Sequence, residues 1–137
     1  VRTILSWYEP RVPSPLEFAV ANRVLLVQAP SGVGIDIALG CSPFEESAVR
    51  RATEYSFAPG ISLLTASAED IVVMKAFADR PKDWIDVEGI LVRQGSSLDW
   101  PYVTEQLAPL VELKGEPEIL ARLDTLHARL AFRGYFR

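Results

Sequence analysis

The chain has one cysteine, Cys41, and one histidine, His127, among its 137 residues. A lone cysteine excludes an internal disulfide and a cysteine-rich metal site, and it fits a reducing cytoplasm. A lone histidine excludes any centre that needs two. No apolar run is long enough to span a bilayer, and no signal-peptide pattern is present. Neither an internal repeat nor a low-complexity segment interrupts the chain, and no stretch reads as a linker. Excess positive charge is also lacking: 14 Lys and Arg stand against 18 Asp and Glu, for a net charge of −4. That balance argues against a general nucleic-acid binder, which presents a basic face. What remains is 49% hydrophobic and 23% charged, the balance of a globular domain of ordinary size and not of a disordered chain.

Local signals divide the chain into an α/β part, residues 1–66, and a helical part, residues 67–137, within a single domain. Ser14, Pro15 and Glu17 form a Ser-Pro-x-Glu helix start, with Ser14 as N-cap and Glu17 closing a capping box. The same box recurs at Ser42, Pro43 and Glu45 and opens a helix to about Thr53. Three runs read as strands: 23–28, 35–39 and 61–65. The short link between the first two predicts an antiparallel hairpin. Ser67 caps a helix with Glu69 and Asp70 in its first turn. Pro81 opens another, which Gly95 closes. Asp99 caps a third, which Pro109 is expected to kink, and residues 115–132 make the last. The expected fold is α+β: a small mixed or antiparallel sheet of three or four strands, helices on one face, then a helical C-terminal half.

Two places invite chemistry. The first is "GVGIDIALG", residues 32–40, where Asp36 interrupts an apolar strand. Alternation puts Ile35, Ile37 and Leu39 on one face and Gly34, Asp36 and Ala38 on the other. Asp36 then either faces water or lies on the floor of a site, where small neighbours leave room for a ligand. The second is residues 67–90. Asp83 and Asp86, three apart on one helix, share a face, and the short break at 79–81 brings Lys75 within reach of them. The spacing leaves two readings open. One is an interhelical ion pair, worth about 0–1 kcal/mol if exposed. The other is a phosphate-binding lysine held by a carboxylate, with a second carboxylate free for a metal or a hydroxyl.

Smaller candidates carry less. His127 reads as a helix residue, partly buried or at the surface. Cys41 stands just before a helix N-cap, which can lower a thiol pKa, but no base is near it in sequence. Arg50 and Arg51 read as a solvated helix face. Trp84 and Trp100 read as packing for the helical half. The terminal "FRGYFR" reads as a segment that docks on its own domain or on a partner.

Taken together, "GIDIALGCSPFEESAVRRA", "LLTASAEDIVVMKAFADRPKDWIDVEGI" and "LDWPYV" resemble the minimal nucleotidyltransferase superfamily, and in it the bacterial branch grouped with AbiEii-type toxins. The resemblance covers roughly residues 20–105. In that family a Gly-Ser turn precedes an Asp-x-Asp pair, and a neighbouring strand adds a third carboxylate. The three hold two divalent metals that position a nucleoside triphosphate for attack at its α-phosphorus. Carried over, the resemblance makes Asp36 the third, metal-binding carboxylate. Lys75 and Asp83 become the nucleotide-contacting lysine and helical aspartate, with Asp86 beside them. It implies Mg²⁺ or Mn²⁺ with a nucleoside triphosphate as cofactor. The Gly-Ser turn and the Asp-x-Asp pair are absent from this sequence, and Glu9 and Glu17 are the sole acids before residue 23.

The resemblance therefore implies a truncated or degenerate nucleotidyltransferase-like protein that binds nucleotide weakly and does not transfer it as an isolated chain. Two alternatives stand beside it. One is an active enzyme whose catalytic strand precedes Val1. The other is a non-catalytic interaction component of a toxin–antitoxin-type system. A sheet lacking its first strands has an open edge, which favours a homodimer or another protein partner.

Overall fold

In the computed structural model, residues 1–40 and 42–136 are described. The reading of Cys41 as a reactive thiol falls outside them. The architecture is α+β, with small antiparallel sheets in the N-terminal half and four helices in the C-terminal half. The chain forms two compact units, residues 1–46 and 47–137.

The first unit begins with a short helix α1 (Arg2–Leu5), a two-residue strand β1 (Glu9–Pro10) and a helix α2 (Pro15–Asn22). The predicted hairpin follows as β2 (Val24–Gln28) and β3 (Gly34–Ala38), and β1 adds to the free edge of β2. Leu25 and Val27 alternate into the core with Ala19 of α2, and Ile4, Leu5, Tyr8, Ile35, Ile37 and Leu39 pack around them. The expected alternation of β3 therefore holds, with Ile35 and Ile37 inward and Asp36 outward. Pro15 opens α2 as expected, but Ser14 does not cap it. Ser14 adopts a left-handed conformation (φ 47°, ψ 56°) and its side chain makes no cap hydrogen bond. An N-cap needs extended backbone to aim its oxygen at the N–H groups of the first turn.

The second capping box is formed in full. Ser42 and Glu45 exchange backbone and side-chain bonds at the start of α3 (Pro43–Arg51). After α3 comes an element that the sequence reading missed. Residues 53–58 form β4 (Thr53–Ala58), which pairs antiparallel with β5 (Ile61–Thr65) across the turn at Pro59 and Gly60. The expected single sheet is thus two. Strand 61–65 pairs with its neighbour across a two-residue turn and forms a separate ribbon from the β1–β2–β3 sheet. The physical reason is local. "EYSF", residues 54–57, alternates polar and apolar, and Gly60 supplies the positive φ of 74° that a tight hairpin turn demands.

The helical half is α4 (Ala68–Ala78), α5 (Pro81–Gln94), a 3₁₀ turn (Gly95–Ser97), α6 (Trp100–Lys114) and α7 (Glu118–Phe132). Ser67 accepts from the Asp70 N–H and Asp99 from the Tyr102 N–H, as the cap signals predict. Val72, Val73, Val87, Leu91, Val103, Leu107, Ile119, Leu123 and Leu130 are sealed between the four helices. Pro109 lies inside α6, which continues through it to Lys114. Polar contacts tie α6 to α4 at both ends. Glu69 accepts from the Asp99 N–H (3.1 Å), Asp70 from the Tyr102 hydroxyl (2.7 Å), and the Phe77 carbonyl from the Lys114 ammonium (3.0 Å). Among the described residues no helix is long and apolar enough to cross a membrane.

Candidate functional site

The break between α4 and α5 is two residues long. Asp79 ends α4 in a left-handed conformation (φ 54°), and extended Arg80 leads directly into Pro81. This reversal brings the last turn of α4 against the first two turns of α5. Lys75, on α4, sits with its ammonium between two carboxylates of α5, 3.4 Å from Asp83 Oδ1 and 2.7 Å from Asp86 Oδ2. Arg80 engages the other oxygen of Asp83. The sequence-predicted cluster of Lys75, Asp83 and Asp86 is therefore assembled, with Arg80 as its fourth member.

The members differ in their access to water. Asp83 is buried, with 2% of its side chain exposed, whereas Lys75 retains 30% and Asp86 53%. Asp83 also lies in the first turn of α5, where the helix dipole favours an anion. Its pKa is lowered, chiefly by the hydrogen bond from Arg80, with burial opposing and Lys75 assisting. The Lys75 pKa is raised, first by its hydrogen bond to Asp86, against a smaller effect of burial. Lys75 and Asp83 therefore carry their charges at neutral pH, and the side chains of Lys75 and Asp86 can both be reached from solvent.

Asp36 belongs to the other compact unit. Its side chain is 65% exposed and pairs with Arg11 at 2.5 Å. The room that Gly34 leaves on that face is already filled. A Cβ built at Gly34 would stand 2.8 Å from Arg11 Nη1. The small neighbours of Asp36 thus accommodate a guanidinium. A divalent cation does not fit this set of residues as it stands, because Asp36 is neutralised by Arg11 and both oxygens of Asp83 are engaged by cationic side chains. Among the described residues, no three His, Cys, Asp or Glu side chains form a group that could hold a metal.

The sequence reading undervalued a second cluster. Asp70 is fully buried and accepts from Ser67 (2.8 Å) and Tyr102 (2.7 Å), while Arg51 Nε approaches at 3.5 Å. The Arg51 guanidinium also lies 3.9 Å from the centre of the Tyr102 ring. Arg51 is therefore more than a solvated helix residue: it spans a buried carboxylate and an aromatic face. Burial and the neighbouring Asp70 raise the Tyr102 pKa, so the phenol stays protonated and donates. Both oxygens of Asp70 are engaged inside the fold, which gives this cluster the character of a structural joint.

The remaining candidates also pack. His127 is stacked between Trp100 (ring centres 3.8 Å apart) and Phe136 (4.6 Å), so the terminal aromatic segment docks on its own helical half. Burial pushes the His127 pKa down, with Asp124 opposing. Trp84 is buried, donates to Asp79 at 2.6 Å and carries Arg122 over its ring at 4.2 Å. A groove of about 530 Å³ runs beside it between α5 and α7. Its two arginines, Arg122 and Arg129, are paired with Asp79 and Glu88. No family model matches this chain, and no curated protein matches it.

Proposed function

We propose that the chain is a nucleotidyltransferase-like module that binds a nucleoside triphosphate weakly at Lys75 and does not transfer nucleotide on its own. The observation that carries this reading is the placement of Lys75. Its ammonium is oriented by Asp83 and Asp86, it is charged at neutral pH, and it remains open to solvent. A phosphate oxygen can reach it from outside without unfolding either helix. Weakness follows from the same geometry, because an incoming triphosphate competes with two carboxylates that already hold the ammonium. Mg²⁺ or Mn²⁺ would come with the nucleotide, whose phosphates supply most of its oxygen ligands. Two-metal transfer needs several free carboxylates at one locus, and Asp36 is engaged by Arg11.

Calorimetric titration of the chain with nucleoside triphosphates and Mg²⁺ tests this. The expected outcome is a dissociation constant of about 10⁻⁴ M or weaker, an affinity of roughly 5 kcal/mol, lost in Lys75→Ala. An isotherm that Lys75→Ala leaves unchanged reduces the cluster to a clamp between α4 and α5. Metal-dependent labelling of an acceptor by this chain, abolished by Asp36→Ala, overturns the claim that it does not transfer.

A further inference from the structure

The ribbon β4–β5 is bare. Tyr55, Phe57, Ile61, Leu63 and Leu64 are 59%, 70%, 52%, 48% and 77% exposed. Register sorts them. Tyr55 stands opposite Leu63, Ala58 opposite Ile61 and Thr53 opposite Thr65, so these six share one face, and none carries a charge. Phe57 is the extra residue of the irregularity between Ser56 and Ala58, beside that face. The reverse face pairs Glu54 with Leu64 and Ser56 with Ser62. The ribbon therefore has an uncharged apolar side and a polar side, and the apolar side is open.

An isolated two-stranded hairpin is marginal in water. Lysine, proline and inward charges, which protect a free strand from pairing, are missing within both strands, where Glu54 is the sole side chain with a formal charge at pH 7 and the irregularity at Phe57 is the protecting device present. An aromatic side chain offers about 150–250 Å². At the exposures above, Tyr55, Ile61 and Leu63, with Phe57 beside them, present roughly 400 Å² of apolar surface, the size of the largest patch on a monomer, which is often a functional one.

We propose that the apolar face of β4–β5 packs against the same face of a second copy of this chain. An uncharged face meets its own image without like-charge repulsion, and it offers nothing to select an acidic or basic partner. Two such faces would contribute about 800 Å² of apolar surface. Homodimer interfaces are about two-thirds apolar, so the whole contact comes to roughly 1,200 Å², the lower limit for a specific pair. A contact at that limit is expected to be a weak one, of about micromolar dissociation constant. This pairing uses the sheet face and is independent of the nucleotide reading.

Analytical ultracentrifugation from about 1 to 200 µM, a range that brackets such an affinity, tests it. The expected result is a monomer–dimer equilibrium. Leu63→Glu puts two like charges in the contact and weakens it about a hundredfold or more. Leu64→Glu, on the reverse face, leaves it intact. A mixture of Leu63→Glu and Leu63→Lys chains pairs again. Both positions are solvent-exposed in the single chain, so the helical circular dichroism of each variant matches that of the parent. A monomer throughout the range, a dimer that Leu63→Glu leaves intact, or one that Leu64→Glu breaks equally would each overturn the proposal.

Discussion

The two hairpins, β2–β3 and β4–β5, are built alike and end differently. Each pairs antiparallel strands of five or six residues across a short connection. In the first, Leu25 and Val27 are fully buried beneath Ala19 of α2, with residues of α1 and β3 packed around them. In the second, no strand residue is buried. Strand pairing is decided by neighbours in sequence, but what covers a strand is decided by elements elsewhere. A hairpin without cover keeps its hydrogen bonds and gains little from its side chains, so its stability has to come from another surface.

The contrast can be broken most directly at its centre. Leu25→Ala removes a side chain with 0% exposure and is expected to cost about 2–5 kcal/mol. Leu64→Ala, at 77% exposure, is expected to stay within about 0.5 kcal/mol. Denaturant unfolding of the two variants measures the difference, and equal losses would dissolve the distinction between the hairpins.

Carboxylates sharpen the same comparison. Asp70 is enclosed and Asp36 stands in water beside Arg11. Asp70→Ala leaves Tyr102 and Arg51 without their acceptor and is expected to cost about 3 kcal/mol, as a broken buried pair does. Asp36→Ala is expected to cost about 0–1 kcal/mol, as an exposed pair does. The same unfolding experiment compares them.

A smaller effect should appear with pH. In the folded chain Asp83 titrates below the ordinary carboxylate value, chiefly because Arg80 donates to it. The unfolded chain therefore takes up the proton first. The stability from this pairing is whole above about pH 4 and is lost as the pH falls through the lowered value. Thermal melts from neutral pH to about pH 3 should show a steeper acid loss for the parent than for Asp83→Asn. Parallel curves would show that Asp83 contributes nothing that protonation can remove.

The features legible in sequence are those made by neighbours. The caps at Ser42, Ser67 and Asp99 involve partners three residues away. The stop at Gly95 depends on a local positive φ of 56°. Lys75 with Asp83 and Asp86 was readable because a two-residue break forces their helices together. The Arg11–Asp36 pair spans 25 positions and the Tyr102–Asp70 bond 32, and no local periodicity encodes either. Strand β4 is a different kind of miss. Its alternation is present in the sequence, but the helical signal before it extends to Thr53, two residues past the true end of α3 at Arg51. The failed cap at Ser14 shows the limit of even a local motif, since the backbone conformation decides whether the hydroxyl can point at the helix.

The polar ties between α4 and α6 have a consequence for chain direction. The starts of both helices meet at Glu69, Asp70, Asp99 and Tyr102, and their ends meet at Phe77 and Lys114. The two helices therefore run parallel, and their macrodipoles lie side by side with like ends together, an unfavourable arrangement. The charges offset it. Three acids, Glu69, Asp70 and Asp99, stand where the two positive ends converge, and one ammonium stands where the two negative ends converge. With α6 reversed, Lys114 would approach the positive start of α4 and Asp99 its negative end. The pattern thus selects one orientation for α6 against its mirror alternative, a discrimination that the apolar seam of valines and leucines could not make.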